Sequence, residues 1–519
     1  MEDMEHGGSS GARDARALDG HTGTAADRHD GTASGAASVA ASGTAGEGAE
    51  ARARAARRDE AVRAAVEQGL LGPDRPIVAL LDVAGIRQAA AGLRTAFDAV
   101  AAPGTPVLHA FAVKATPLVP VLRLLHEEGI GAEVASPGEL ALARAAGVPA
   151  SATVLDSPAK TPAELREALA LGIAVNADNP QELDRIDALI RSAPSRSPLG
   201  IRVNPQIGGG AIEALSTATA TSKFGVALRD EGAREWVLRA YEDRPWLTRL
   251  HAHTGSQGIP LSLMARGVAE TYALAEEINR RAGRRQVDTI DIGGGLPVNF
   301  ASDATEPTYG EYARLLKETV PGLFDGRYGL VTEFGRSLLA KQGTVVARVE
   351  YAKRAGGRPV AVTHAGVQVA ARTVYAPESW PLRVAAYDAK GRPKEGPSVV
   401  QDVAGPACFA GDLLARAQPL PLLEQGGLRG GARHRRVLLR APLRVQLAGP
   451  PRCLRACRGR DRRGAVRGGA RAADARRDRR RVRRGARPRT DRPAASRGRL
   501  RRHSRASPYR VNWGERVPS

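Results

Sequence analysis

The first residue with a chemical signature in this sequence is a lysine in an apolar segment. In FAVKAT, Lys114 follows Phe111, Ala112 and Val113. An amine shielded from water has a lowered pKa, and a neutral amine is a nucleophile toward carbonyl groups, so Lys114 is a candidate for Schiff-base chemistry. A lysine that reaches solvent from a strand end would be the commoner explanation if this motif stood alone.

Three further motifs contain residues that could bind a phosphate group. DIGGG places a glycine triplet after an apolar segment, where backbone N–H groups can approach an anion. EFGR contributes a guanidinium, which suits a phosphate dianion, and HAHTGSQ contributes a hydroxyl donor. The phosphate-binding candidates are Gly293, Gly294, Gly295, Arg336 and Ser256.

Two of these motifs also supply groups that suit an aromatic cofactor. Glu333 in EFGR is a carboxylate, and His253 in HAHTGSQ has a flat ring that can stack on another ring. Together with Lys114 and the phosphate-binding residues, they form the set that pyridoxal phosphate requires. We therefore expect pyridoxal 5′-phosphate as the cofactor, and we expect no metal.

The elements that must position these residues are short apolar runs alternating with amphipathic stretches. One such stretch begins at Thr161, with Glu164 at the spacing of a capping box. Eight strand–helix units predict a (β/α)8 barrel with its chemistry at the carboxyl ends of the strands. The predicted strands are VLHAFAVKA (107–115), GAEVAS (131–136), ATVLDS (152–157), IAVNAD (173–178), LGIRVNP (199–205), LTRLHAHTGS (247–256), TIDIGGG (289–295) and GLVTEFG (329–335).

The fold class is therefore α/β, with a mostly antiparallel β domain after the barrel. Alternating runs without long helices predict this second domain from 341 to 425, joined by the earlier strand 76–82. Its carboxyl-terminal part is expected to be missing. The barrel, with a preceding helix and strand, is assigned to 58–340, and residues 1–57 read as a disordered leader because they lack aromatic residues.

The charge of the chain is concentrated in its last part. The chain has 519 residues and a net charge of +22, but residues 426–519 contain 31 Arg, no Lys and 5 acidic residues, so the rest is mildly acidic. The tail has almost no interleaved aromatic residues, so nucleic-acid binding is not expected to be its function. Three cysteines are too few for a disulfide scaffold, and the absence of a long apolar run predicts no membrane span. These features favour a cytoplasmic protein.

Several motifs occur in an order that resembles a known family. The sequence from about 75 to 425 resembles the fold-type III pyridoxal-phosphate-dependent decarboxylases, the group of diaminopimelate, ornithine and arginine decarboxylases, and within it the diaminopimelate decarboxylases most. The resemblance rests on FAVKAT, EVASPGEL, IRVNP, TSKFG, HAHTGSQ, DIGGG, EFGR and GPACFAGD.

The resemblance implies a role for each candidate residue. Lys114 would bind the cofactor covalently, Glu333 would contact its ring nitrogen and His253 would stack on its ring. Arg336 and Arg372 would contact the substrate, the latter through the substrate carboxylate. Cys408 would return a proton to the substrate carbon in the partner subunit of a homodimer, a role that its thiol chemistry allows, although a small buried residue is an equal explanation. Glu133, Arg202 and Asn204 would shape the pocket or cap strand ends.

The sequence departs from the family at two places. Phe409 follows the cysteine where diaminopimelate decarboxylases usually have an acidic residue, and Phe334 stands where they usually have proline. The tail lacks the GAY-type and YN-type segments of the family, and reading GC-rich codons one base later can recover both. We therefore predict that residues from about 426 are out of frame with the ancestral gene and disordered. Cys453 and Cys457 have no partners at metal-ligand spacing.

The resemblance favours decarboxylation of meso-diaminopimelate to L-lysine, the diaminopimelate step of lysine biosynthesis. Another basic amino acid such as ornithine, or a precursor of specialised metabolism, is an alternative, because Phe409 alters the residue expected to read the distal end of the substrate. A racemase of the related barrel group is a further alternative, which GPACFAGD disfavours. An inactive homologue that binds the cofactor is another alternative, because the carboxyl-terminal segment is missing.

Overall fold

A closed barrel of eight parallel strands forms the first domain, as predicted. The computed structural model describes residues 34–425 and, from the remainder, only the backbone of strands 436–440 and 453–455. The strand β1 (Ile77–Leu81) precedes the barrel. The barrel strands are β2 (Val107–Ala112), β3 (Gly131–Val134), β4 (Thr153–Leu155), β5 (Ala174–Ala177), β6 (Leu199–Asn204), β8 (Leu247–Ala252), β9 (Thr289–Asp291) and β10 (Gly329–Thr332), and the two-residue β7 (Val226–Ala227) pairs with β6. Pairing of β5 with β6 and of β10 with β2 closes the sheet.

Helices alternate with these strands and bury their apolar faces against the barrel. They are α2 (Val83–Asp98), α3 (Val119–Glu127), α4 (Pro137–Ala145), α5 (Pro162–Leu171), α6 (Pro180–Ser192), α7 (Ala233–Asp243), α8 (Leu261–Ala282), α9 (Tyr309–Thr319) and the single turn α10 (Arg336–Leu339). The predicted capping box is present at the start of α5, where Thr161 and Glu164 each bond the backbone of the other. Such local signals fix where a helix begins. The connections after β6 and β9 are long, and α7 and α9 begin only at Ala233 and Tyr309.

The predicted strands continue past the observed ones at their carboxyl ends. For example, β2 ends at Ala112, and Val113–Ala115 form a 3₁₀ turn that carries Lys114. Likewise β9 ends at Asp291, before the glycine triplet. The motif residues therefore lie in loops at one end of the barrel, which is where parallel barrels place their chemistry.

A second, mostly antiparallel sheet follows the barrel. It contains β11 (Gly343–Ala355), β12 (Arg358–Thr363), β13 (Arg383–Tyr387), β14 (Ser398–Ala404) and β15 (Leu413–Pro421), with the helix α11 (Val367–Tyr375) between β12 and β13. β1 pairs antiparallel with β11, which confirms that the early segment 76–82 contributes to this domain. The pair β12–β14 is parallel, and the others among these strands are antiparallel.

Two short strands from the tail complete the described part of this sheet. β16 (Arg436–Arg440) lies between β11 and β13 and is antiparallel to both, and β17 (Cys453–Arg455) lies beside β1. The remaining residues after 425, including Cys457, lie outside the described part of the chain. The prediction of a disordered tail is therefore wrong for these two strands, whereas the out-of-frame origin of the tail stays a prediction.

The assignment of a disordered leader to residues 1–57 needs a correction. The helix α1 runs from Ser34 to Glu67, so the second half of that segment is helical, whereas 1–33 lie outside the described residues. The physical reason is that its many Ala and Arg residues are strong helix formers. In addition, Arg57 pairs with Asp82 at 2.7 Å and Arg54 donates to the Asp303 carbonyl at 2.9 Å, which ties the helix to the barrel.

No helix in the described part of the chain is both long and apolar enough to span a bilayer. The longest ones, α1 and α8, carry several charged residues, which in α1 begin at Glu47.

Candidate active site

A cavity of about 590 Å³ lies where the carboxyl ends of the barrel strands meet the start of α11. Its walls come from the loops after seven of the eight barrel strands, all but β5, and from the second domain. It brings together most of the residues that the sequence singled out. These are Lys114, His253, Ser256, Gly295, Glu333, Arg336 and Arg372, together with Glu133 and Arg202.

Lys114 lies in the cavity next to a carboxylate. Its Nζ is 2.8 Å from Oε2 of Glu133, which is 1% exposed, whereas half of the lysine side chain is accessible. Desolvation lowers the pKa of Lys114, but the Glu133 and Glu333 carboxylates outweigh it, so the pKa is raised. The expected fall in this pKa was wrong, because the two carboxylates come from other strands and FAVKAT does not reveal them.

Glu333 follows β10 directly and faces the same cavity. It is 7% exposed, and burial together with the nearby Asp291, Asp156 and Glu133 raises its pKa well above the usual range. Burial also raises the pKa of Glu133, against the opposing effect of Lys114. A carboxyl group with a raised pKa can hold a proton near neutral pH, which makes Glu333 suited to sharing a proton with a buried nitrogen base.

His253 is held by the glycine triplet beside it. The Gly294 N–H donates to Nδ1 of His253 at 3.0 Å, which requires that nitrogen to be unprotonated. Burial, followed by the charges of Arg202 and Lys114, lowers the pKa of His253 well below its usual range. The ring is therefore neutral, and a neutral aromatic ring can stack on another ring.

The glycines are needed because the loops after β8, β9 and β10 touch. Gly295 has a φ of +98°, and a Cβ there would lie 1.8 Å from the Gly255 carbonyl oxygen. The N–H of Gly293 donates to Asp291 and that of Gly294 to His253, so only Gly295 of the triplet lines the cavity. Binding of a phosphate by Gly293 and Gly294 stays a prediction.

Two arginines are placed around one tryptophan. Arg336 donates to the Ser256 hydroxyl at 2.7 Å, so these two of the five phosphate-binding candidates are in direct contact. The guanidinium carbons of Arg336 and Arg372 lie 5.1 and 4.6 Å from the centre of the Trp380 ring, which is 7% exposed. Trp380 thus supports both arginines through cation–π contacts.

Cys408 and Phe409 lie elsewhere. They are exposed in the loop between β14 and β15, and neither lines the cavity of its own chain. The Phe409 ring packs on Tyr375, with ring centres 5.7 Å apart. The role of Cys408 in a partner subunit stays a prediction. Phe334, by contrast, is buried among Phe97, Tyr309 and Tyr312, so this departure is accommodated by aromatic packing.

Sequence reasoning missed several residues of this site. Asn204 was among the candidates, and its side-chain amide donates to the Thr219 carbonyl at 2.9 Å outside the cavity, which fits the capping role and not the pocket-shaping one. Asp156 follows β4 at the position where polar residues crowd, so its place in the pattern could have identified it. His251 shares a strand face with His253 because side chains alternate, which was also a usable signal. Trp380 follows α11, and nothing in the sequence marked it.

The residues present fit pyridoxal phosphate. The Oε1 atoms of Glu133 and Glu333 are buried and have no hydrogen-bond partner among the described residues, so each can accept or donate to a bound molecule. The cavity has a lysine amine, a neutral imidazole ring and a hydroxyl–guanidinium pair within one enclosure. These are the groups that a phosphorylated pyridine aldehyde requires.

Comparison with known proteins gives consistent matches. Residues 85–340 match the family described as "Pyridoxal-dependent decarboxylase, pyridoxal binding domain". The diaminopimelate decarboxylase of Pseudomonas aeruginosa is 31% identical over 63% of this chain and 75% of its own length. That of Aquifex aeolicus is 28% identical over 64% of this chain and 77% of its own length.

Solved structures share the fold. A diaminopimelate decarboxylase from Helicobacter pylori complexed with L-lysine has a TM-score of 0.61 and 24% identity, covering 71% of this chain and 87% of that one. A lysine/ornithine decarboxylase from Vibrio vulnificus complexed with putrescine has a TM-score of 0.57 and 24% identity, covering 75% of this chain and 93% of that one.

Proposed function

This chain belongs to the fold-type III pyridoxal-phosphate-dependent amino-acid decarboxylases, and from that premise we propose that its substrate is meso-diaminopimelate and its product L-lysine. The observation that carries the choice of substrate is the similarity to curated diaminopimelate decarboxylases over three quarters of their length. The placement of a lysine, two carboxylates and two arginines around one cavity supports the same proposal.

The proposal gives each cavity residue a task. When bound, pyridoxal phosphate supplies an electron sink for the electron pair that remains when carbon dioxide leaves. Lys114 holds the cofactor covalently, and Glu133, 2.8 Å away, can accept the proton that the amine must lose to react. Glu333 contacts the ring nitrogen and His253 supports the ring face. Ser256, Arg336 and Gly295 bind the phosphate.

Arg372 and Cys408 act on the substrate. Arg372 lines the cavity and binds a substrate carboxylate, in a position fixed by Trp380. Cys408 donates a proton from Sγ to the substrate carbon, and because it lies outside the cavity of its own chain it does so in a partner subunit. The protein is accordingly proposed to be a homodimer, and its proposed location is the cytoplasm.

The experiment for the substrate is a panel of amino acids. Full-length protein loaded with pyridoxal phosphate is given meso-diaminopimelate, L-ornithine, L-arginine or L-lysine, and released carbon dioxide and the amine product are measured. The highest kcat/KM is expected for meso-diaminopimelate, with no turnover by Lys114→Ala. Preference for another substrate would overturn the choice of substrate, and cofactor binding without any turnover would identify an inactive homologue.

Phe409 favours a second candidate, a substrate whose distal end does not need an acidic partner. If the residue at position 409 contacts the distal end of the substrate, Phe409→Glu should raise kcat/KM for diaminopimelate relative to the other members of the panel. An exposed aromatic on another edge, Tyr351→Glu, is the matched control and should leave the ratio unchanged.

Sharing of a site between subunits has its own test. Lys114→Ala and Cys408→Ala should each be inactive, and mixing them under conditions of subunit exchange should restore part of the activity, because some mixed dimers have one intact site. Failure of the mixture to recover while both variants remain dimeric would contradict the role of Cys408.

A further inference from the structure

Four ionisable side chains form a buried cluster at the floor of the cavity. They are Asp156, His251, Asp291 and Glu333, contributed by the ends of β4, β8, β9 and β10. One nitrogen or oxygen atom from each lies within 4.8 Å of those of the other three, and all four side chains are buried. Only Asp156 and Glu333 also line the cavity. His251 therefore lies one layer deeper than the residues that can touch a bound molecule.

The imidazole of His251 connects two of these carboxyl groups. Its Nδ1 lies 3.3 Å from Oδ1 of Asp156, and its Nε2 lies 3.7 Å from Oε2 of Glu333. Neither ring nitrogen has a hydrogen bond of good geometry within the described part of the chain, and the same is true of Oε1 of Glu333. Buried polar atoms of this kind are costly unless something shares their protons.

The pKa shifts of the three carboxyl groups indicate where a proton is held in the cluster. Three carboxylates around one imidazole cannot all be ionised away from water. Burial opposes ionisation of Asp156, but His251 and neighbouring groups outweigh it and lower its pKa well below the usual range. Burial raises the pKa of Asp291 and of Glu333, and Asp291 and Asp156 raise that of Glu333 further. The directions of these pKa shifts favour the charge on Asp156 and a proton shared among the Glu333 and Asp291 side of the cluster.

We propose that His251, backed by Asp156, is a positioning residue that holds the Glu333 carboxyl group toward the cavity and maintains the proton that Glu333 shares with the ring nitrogen of the cofactor. This inference rests on the proposed contact between Glu333 and that nitrogen. An imidazole suits the task because its two nitrogens can contact both carboxyl groups at once and accommodate a proton shift between them. Packing of β8 fixes the ring, since His251 is fully buried.

The test compares two ligands that differ at one atom. Pyridoxal phosphate and its carbocyclic analogue, with C–H in place of the ring nitrogen, keep the same aldehyde and phosphate. The dissociation constant of each is measured on the full-length protein by titration. In the unmodified protein pyridoxal phosphate should bind more tightly than the analogue. The ratio of the dissociation constant of the analogue to that of pyridoxal phosphate measures the contribution of the ring nitrogen, because general damage to the site weakens both ligands alike.

His251→Gln is expected to weaken the binding of pyridoxal phosphate about tenfold, because the proposed hydrogen bond between Glu333 and the ring nitrogen is weakened, and to leave binding of the analogue within about twofold. Asp156→Asn should act in the same direction and serves if the first variant does not fold. His109→Gln is the matched control, because His109 is a buried barrel histidine that contacts Thr332 and not the cluster. It should leave the ratio unchanged.

If His251→Gln leaves the ratio unchanged, whether or not both ligands bind more weakly, His251 only supports the fold and the inference is overturned. Glu333→Gln separates this failure from a failure of the proposed function. If Glu333→Gln lowers the ratio and His251→Gln does not, only the positioning role falls. If Glu333→Gln also leaves the ratio unchanged, the contact between Glu333 and the ring nitrogen is wrong.

Discussion

Replacement of Arg336 by Gln tests whether the cavity has a phosphate site at the predicted place. The Arg336 guanidinium donates to the Ser256 hydroxyl at 2.7 Å and lies over Trp380, so it is held in place before any ligand arrives. Gln keeps a hydrogen-bond donor but loses the charge and the planar fork that suits a phosphate. We therefore expect weaker binding of phosphorylated ligands without collapse of the loop.

The size of the effect follows from the contact that is lost. A hydrogen bond to a charged group contributes about 1.5–3 kcal/mol, which corresponds to a rise of about 10- to 150-fold in the dissociation constant of pyridoxal phosphate. Ser256→Ala removes a neutral donor, so its effect should be smaller, about 0.5–1.5 kcal/mol. The order of the two variants is thus predicted as well as the direction.

The assay compares pyridoxal phosphate with pyridoxal, which lacks the phosphate. Arg336→Gln should weaken the first and leave the second nearly unchanged, as measured by absorbance or fluorescence titration of the full-length protein. Arg327→Gln is the matched control, because Arg327 pairs with Asp325 and Glu276 on the outside of the barrel. Equal loss of affinity for both ligands would refute the assignment of Arg336 to the phosphate.

Three further predictions concern the surroundings of the site. Gly295→Ala should abolish cofactor binding and lower the melting temperature, measured by calorimetry, because its Cβ would lie 1.8 Å from the Gly255 carbonyl oxygen; an unchanged melting temperature would contradict this packing. Burial, then the charge of Arg94, lowers the pKa of His109 to about 4 from 6.5. As the pH drops, the unfolded chain binds this proton before the folded protein does, so the free energy of unfolding falls between about pH 6.5 and about pH 4, by up to about 3 kcal/mol. His109→Gln should remove this part of the pH dependence of the free energy of unfolding, measured by urea titration at each pH. An unaltered pH dependence would refute the prediction. Trp380→Leu should raise both the dissociation constant of pyridoxal phosphate and the KM of the substrate by about 2- to 30-fold, as expected for the loss of cation–π contacts of about 0.5–2 kcal/mol to the two cavity arginines. If neither constant changes, the ring does not position these arginines.

The barrel was predictable because its signals are local. Each of the eight strands is a short apolar run, and helix starts such as Thr161 carry their own capping signal. The predicted strands were too long at their carboxyl ends because apolar residues continue into the loops, as in Val113 beside Lys114. The second half of the predicted leader did carry a local signal, because its Ala and Arg residues are strong helix formers. Only its attachment to the rest of the protein, as in the ion pair of Arg57 with Asp82, depends on a distant segment.

The site was predictable in its members but not in its electrostatics. The motifs identified Lys114, Glu333 and Arg336, since their residue types carry the chemistry. The raised pKa of Lys114 depends on carboxylates from two other strands, and the position of Trp380 depends on how the second domain meets the barrel. Such properties arise from contacts between distant segments, which spacing along one strand does not report.

The central claim is that Lys114 is the residue that carries the cofactor. Borohydride reduction of the full-length protein loaded with pyridoxal phosphate, followed by proteolysis and mass spectrometry, identifies the lysine to which the cofactor becomes permanently attached. We expect the label on Lys114, and no label at this position after Lys114→Ala. Lys223 also lines the cavity and is the internal comparison. A label on Lys223 or on another lysine, with Lys114 unmodified, would show that Lys114 does not carry the cofactor.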